Sequence, residues 1–225
     1  MKKKILCLHG YAMNRDWFRQ WLQPVEQALQ SEAELVYAQG PIACPAYEVR
    51  SMVKQFQFKM PADRIGADLN WCWYRATTDK PPRYLGLDET LQWLHELDER
   101  EGPFDAVFGW SQGAVMAAMM AAQQQNGVGH DFGLKWLVLC GGFLPGDPEI
   151  KALFEPVIQL PSLHVVGKLE SEFMHQRGKK LHVSFDQADW LETPVGHMLP
   201  LKYPDYMSRI IEWMAEQLDD SDQLE

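Results

Sequence analysis

The run Phe104-Asp105-Ala106-Val107-Phe108-Gly109-Trp110-Ser111-Gln112-Gly113-Ala114 leaves this chain few ways to fold. It reads as a short buried strand, then G-x-S-x-G, then a helix rich in Ala and Met over Ala114–Ala122. In the nucleophile-elbow pattern, a strand turns sharply into a helix and carries a strained serine at the tip. Gly109 and Gly113 stand where a side chain would clash as strand and helix cross. The next N–H, that of Gln112, lies at a helix N-terminus and can stabilise an oxyanion. The plainer alternative is a Gly-rich turn with a solvated serine.

Around this elbow, apolar strand-like runs alternate with helical patterns. Strands are predicted at Lys3–Leu8, Leu35–Ala38, Asp105–Gly109, Lys135–Cys140, Ser162–Val166 and Asp189–Thr193. Helices are predicted near Asp16–Leu29, Asp88–Glu101, 112–125, 172–186 and Tyr203–Leu218, before an acidic, frayed tail at 219–225. Short, continuously apolar strands between helices indicate an α/β fold: a parallel sheet covered on both faces. Residues 40–86 break the rhythm with five prolines and the aromatics Trp71, Trp73 and Tyr74. They read as a long irregular excursion within one domain spanning 1–218. Such a loop is either a functional cover or a surface insertion whose aromatics fill core.

Composition narrows the function classes. The 225 residues, 46% of them hydrophobic, suit one domain with a full core. A formal net charge of -10, with no basic cluster beyond Lys2–Lys4, argues against a nucleic-acid partner. Cys7, Cys44, Cys72 and Cys140 are far apart, which suits buried free thiols in a reducing compartment. The apolar run after the N-terminal lysines ends at His9-Gly10, too short for a signal peptide, and no run approaches the ~18 residues of a membrane span. A soluble cytoplasmic protein is expected. No metal-ligand spacing, P-loop or dinucleotide fingerprint is visible, so no metal or cofactor is expected.

Active groups of a parallel sheet gather beyond the strands' carboxyl ends. A serine nucleophile needs a base, usually His, and an acid to orient it. His197, in a turn after the last strand, fits the base. His9 fits better as a support for the loop after the first strand. In the chain order Ser, acid, His, the acid belongs in the loop after the fifth strand. There Glu170 is the first choice, Glu172 the reserve, and Asp186 and Asp189 the fallbacks. Both glutamates also suit the first turn of a solvated helix. The second oxyanion N–H is expected from Tyr11, beside that of Gln112.

A wider set of motifs carries a resemblance. It comprises Ile5-Leu6-Cys7-Leu8-His9-Gly10-Tyr11, Trp71-x-Trp73-Tyr74, Tyr84-x-Gly86-Leu87-Asp88-Glu89-Thr90-Leu91, Gly102-Pro103-Phe104-Asp105, the elbow, Leu163-His164-Val165-Val166-Gly167 and Gly196-His197-Met198-Leu199-Pro200. Across residues 3–214 the chain resembles the small serine hydrolases that include the ovarian-cancer-associated serine hydrolase and its yeast relatives. The resemblance implies a three-layer α/β-hydrolase fold with a mostly parallel central sheet and little or no separate cap. It implies esterase activity on acyl esters, with thioesterase activity in some fungal relatives, Ser111 as nucleophile and His197 as base. Two positions depart from it. Leu169-Glu170 stands where the family carries Asp, and Trp110 where Phe is common.

The expected reaction is hydrolysis of small or medium acyl esters or thioesters through an acyl-serine. Trp71, Trp73, Tyr74 and Trp110 would line the acyl pocket. Two rival readings stay open: a binding module that keeps the elbow without productive geometry, and lactone or peptide hydrolysis on the same fold. Oligomeric state is not legible from the chain.

Overall fold

A computed structural model describes residues 2–56, 60, 62–66 and 69–222. Strand β1 (Lys3–Leu8) turns Ile5 and Cys7 to one face and Leu6 and Leu8 to the other. Successive strand residues point to opposite sides, so a strand apolar at every position must be covered twice. The chain continues through α1 (Arg15–Ala28), β2 (Ala33–Ala38), β3 (Ile42–Ala43), α2 (Ala46–Phe56), β4 (Trp71–Cys72), β5 (Arg75–Ala76), β6 (Tyr84–Leu85) and α3 (Leu87–Glu101). After these come β7 (Ala106–Trp110), α4 (Gln112–Asn126), β8 (Trp136–Cys140), α5 (Pro148–Ala152), β9 (Ser162–Gly167), α6 (Glu172–His182), β10 (Ala188–Thr193) and α7 (Pro204–Asp222).

Six strands form one sheet in the order β10-β9-β8-β7-β1-β2, and every pairing in it is parallel. Helices α1 and α7 cover one face, burying Phe18, Leu22, Ile210 and Met214 against Ile5, Cys7 and Phe108. Helices α3, α4 and α6 cover the other, burying Leu94, Leu97, Met116 and Leu181 against Leu6, Leu8 and Val107. α4 lies deepest, with every residue from Gln112 to Ala122 buried. Its small Ala side chains let it approach the sheet closely, and its methionines fill the remaining gaps. The chain leaves β1 for β2 on one side and returns to β7 on the other. The reversal opens a crevice between the carboxyl ends of β1 and β7, where α/β sheets bind ligands.

Three sequence expectations are corrected. The excursion is not irregular throughout. It holds α2, whose Val49, Met52 and Val53 follow helical spacing and pack on Ala12, Cys44 and Cys72. The expected helix over 172–186 stops at His182, because the chain then turns to lay Phe185 beside Ile158. The tail at 219–222 continues α7 instead of fraying. No Gly or Pro interrupts that helix, and buried Leu218 anchors its last turns. Residues 223–225 lie outside the described residues.

Candidate active site

The elbow is built as strain held by packing. Ser111 has φ 54° and ψ -115°, rare values for a residue with a side chain. Its N–H donates to Cys140 O at 2.8 Å, and its own carbonyl accepts from Val115 N at 3.1 Å to start α4. A Cβ on Gly113 would stand 2.0 Å from Leu8 O, so only glycine lets α4 begin this close to β1.

His197 follows β10 in a tight turn. Its Nε2 lies 2.7 Å from Ser111 Oγ, a good hydrogen-bond distance across 86 residues of sequence. Its ring rests on Trp110, centroids 5.7 Å apart, and Trp110 is held edge-on by Trp21 at 4.9 Å. Behind the imidazole, Glu170 Oε1 stands 3.3 Å from Nδ1, and the glutamate side chain is only 4% exposed. The approach is bent away from hydrogen-bonding geometry, and buried Nδ1 has no other partner among the described residues. Catalytic hydrogen bonds are often this loose outside the Michaelis complex and tighten once substrate binds.

Two loops hold acid and base in register. Lys168 N donates to Thr193 O at 2.8 Å and Leu169 N to Val195 O at 2.9 Å, joining the turn after β9 to the turn after β10. Gly141, at φ +60°, makes room beneath them, since a Cβ there would meet His197 Cε1 at 3.0 Å. The sequence marks Gly141 only as the end of β8. The competing acids point elsewhere. Glu172 accepts from Gln176 on exposed α6, Asp189 accepts from Trp213, and Asp186 is exposed in the turn before β10.

The loop after β1 supplies Tyr11, and the start of α4 supplies Gln112, the two expected oxyanion donors. The first N–H groups of a helix have no intrahelical acceptor, which leaves that of Gln112 disposed toward an anion. His9 is fully buried behind this loop. Its Nδ1–H donates to Gly10 O at 2.8 Å and its Nε2 accepts from Gly40 N at 2.9 Å. Burial lowers its pKa to about 4, partly opposed by the bond to Gly10, so the ring is neutral at pH 7. The Gln112 side chain makes a second link. Its Oε1 accepts from Trp73 N at 3.0 Å and its Nε2 donates to Tyr74 O at 2.7 Å. Sequence reasoning missed this clamp, because nothing local marks a glutamine as a partner for backbone 38 and 39 residues away.

The aromatic residues divide. Trp73 is fully buried and donates its Nε1–H to His9 O at 2.7 Å. Tyr74 is 3% exposed and stacked on Tyr84. Both belong to the core beneath the oxyanion loop, so the expected acyl-pocket wall does not include them as they stand. Trp71 is half-buried and bridges to Met13, and Trp110 underlies His197. Leu169, 75% exposed, and Met198, 48% exposed, are the apolar neighbours in sequence of Glu170 and His197.

The family model described as serine hydrolase (FSH1) matches residues 1–208. The chain belongs to this serine hydrolase family. It is 30% identical to "Esterase OVCA2" of Danio rerio over 92% of this chain and 96% of that one. It is 28% identical to "Esterase OVCA2" of Homo sapiens over 89% and 91%. Among solved structures, acyl-protein thioesterase 2 of Zea mays superposes with a TM-score of 0.65 at 18% identity, covering 96% of this chain and 94% of that one. That likeness concerns the fold, and it agrees with the parallel sheet flanked by helices that houses this serine hydrolase.

Proposed function

We propose that this chain hydrolyses carboxylic esters or thioesters of small to medium acyl chains through a Ser111 acyl-enzyme. The 2.7 Å contact between His197 Nε2 and Ser111 Oγ carries the reading, with Glu170 behind the imidazole. Ser111 Oγ attacks the acyl carbonyl while His197 Nε2 takes its proton. The Tyr11 and Gln112 N–H groups hold the developing oxyanion. His197 then protonates the leaving alcohol or thiol, and water repeats the cycle on the acyl-serine. Glu170 orients the ring and stabilises the imidazolium that forms. Glutamate reaches one methylene further than aspartate, which lets the joined loops sit back from the ring. Leu169 and Met198 favour an acyl chain at the rim over a charged one. Residues 1–218 act as one catalytic unit, and the four reduced, buried cysteines support a reducing, cytoplasmic setting. Among the described residues no helix is long and apolar enough to cross a membrane.

The bent contact from Glu170 to Nδ1 favours a second reading, a binding module with an idle triad. A fluorophosphonate probe separates the two. Under the hydrolase reading it labels Ser111, and p-nitrophenyl esters of graded length turn over faster than matched amides. A folded protein that neither labels nor turns over any ester, thioester or amide supports the binding module.

The acid is tested by paired variants. Glu170→Gln keeps the shape but removes the charge that stabilises the imidazolium, and kcat is expected to fall by about a hundredfold or more. Glu172→Gln should stay within about twofold of the parent, as an exposed surface change. Steady-state kinetics with one p-nitrophenyl ester decides. Equal effects from both variants would remove Glu170 from the triad.

A further inference from the structure

Cys44 and Cys72 are the two cysteines outside the main sheet. Both are free; Cys44 is 3% exposed and Cys72 fully buried. β3 and β4 pair antiparallel, with Ile42 opposite Cys72, and Cys44 N donates to Asn70 O at 2.8 Å just beyond. Residues 42 and 44 therefore share a face with Cys72. The two thiols meet under α2 in one small cluster with Ala12 and Val49, and Tyr11 packs against it. The cluster lies directly behind the oxyanion loop, at a point where Ala12 already holds φ +58°.

The chemistry at Cys44 differs from that of an ordinary buried thiol. Its sulfur sits among Cys72, Ala12 and Tyr11, with the Arg75 guanidinium nearby, and the Tyr11 hydroxyl itself donates to Glu48 Oε2 at 3.5 Å. The Cys72 bond, foremost, holds Cys44 below the usual thiol value against the opposing effect of burial. Cys72 is pushed up, first by that same bond. Arg75 Nε is buried with no hydrogen-bond partner among the described residues, and the guanidinium charge acts on both sulfurs. The guanidinium also pairs with Glu48 at 3.6 Å, a carboxylate of the same corner. Cys7 and Cys140 contrast with this pair: burial alone, or first, raises both. Where an oxidant reaches them, thiols with a lowered pKa beside positive charge oxidise ahead of ordinary buried ones.

We propose that Cys44 and Cys72 form a redox-sensitive dithiol whose closure to a disulfide disturbs the oxyanion loop. Hydrogen peroxide is the oxidant. The Cys44 thiol gives up its proton as its sulfur attacks one peroxide oxygen, the O–O bond breaks, and the departing hydroxide takes up that proton to leave as water. Cys72 sulfur then attacks Cys44–S–OH, its own proton leaves with the expelled hydroxide, and a second water is released. Two thiols and one peroxide become one disulfide and two waters. The new bond draws Cys44 and Cys72 together beneath Ala12 and Tyr11, the residues that pack with them. The consequence for turnover rests on the proposed oxyanion role of Tyr11.

The experiment exposes the native, full-length protein to hydrogen peroxide and reads intact mass and non-reduced peptides. The expected result is loss of two hydrogens and a single linked peptide joining Cys44 to Cys72, with Cys7 and Cys140 still alkylatable after unfolding. Cys72→Ala should stop at a dimedone-trapped sulfenic acid on Cys44, and Cys44→Ala should not react. Ester turnover should drop severalfold on oxidation and return with dithiothreitol. Four intact thiols after treatment, or first oxidation at Cys7 or Cys140, overturns the dithiol. A disulfide with unchanged turnover overturns its link to the loop. The mass readout stands even if no ester is hydrolysed, so failure of the esterase reading is seen separately.

Discussion

Ser111→Ala is expected to lower kcat/KM for esters by about four orders of magnitude or more while leaving the fold intact. The hydroxyl stands 2.7 Å from the His197 base, and among the described residues no other side chain is hydrogen-bonded to that imidazole. What remains should be the contribution of oxyanion donors and binding alone, roughly 10³-fold over water in serine enzymes whose triad has been broken. Stability should change little. The half-buried hydroxyl caps no helix, and alanine can occupy the same strained backbone, since Ser111 itself already carries a Cβ at φ 54°. Steady-state kinetics with the best p-nitrophenyl ester, beside circular dichroism, decides the matter. Parent-like turnover in a folded Ser111→Ala protein would move the nucleophile elsewhere.

The second large effect is on stability in mild acid. His9 and His164 are both buried and neutral, with pKa values lowered to about 4 and about 3. Burial is the main cause in each, and the nearby His182 adds to it for His164. In the unfolded chain both imidazoles take up a proton as pH falls below about 6.5. The folded chain does not follow until near pH 4, so between these limits the unfolded state binds more protons. Stability therefore falls as pH falls, with a slope of about 2.7 kcal/mol per pH unit from the two rings together. Above pH 6.5 their contribution is fully present. From pH 6.5 to 5 the loss is about 3 kcal/mol, large against a typical total of about 5–15 kcal/mol. Urea denaturation at several pH values measures the slope. His164→Phe removes one of the two groups and should roughly halve it, whatever the variant's absolute stability. A flat profile in the parent between pH 6.5 and 5 would mean that one or both rings charge freely in the folded state.

How much of this was legible beforehand depends on how local each signal is. Six strands stand out because each is a compact apolar run, and their parallel arrangement follows from helices lying between them. Ser111, His197 and Glu170 could be nominated because strand ends and chain order point to them, and the fold brings those three side chains together. What escaped is non-local. The helix Ala46–Phe56 hides among prolines and aromatics, although Val49, Met52 and Val53 carry its spacing. The direction in which Trp73 and Tyr74 point depends on Gln112 and His9, which contact them only after folding. An aromatic cluster in sequence says that surface will be covered, without saying whether ligand or protein covers it.

The excursion between β2 and α3 is pinned at separate places. One pin ties Gly40 to His9, another ties residues 73 and 74 to Gln112, and a third ties Tyr84 to Asp147 and Gly146 beyond β8. A canopy hung this way divides its labour. The knots must keep their chemistry, whereas the spans between them can lengthen, shorten or change character without moving the serine. Relatives built on this plan can therefore vary the stretches between the knots, with the strand-to-helix turn inherited whole.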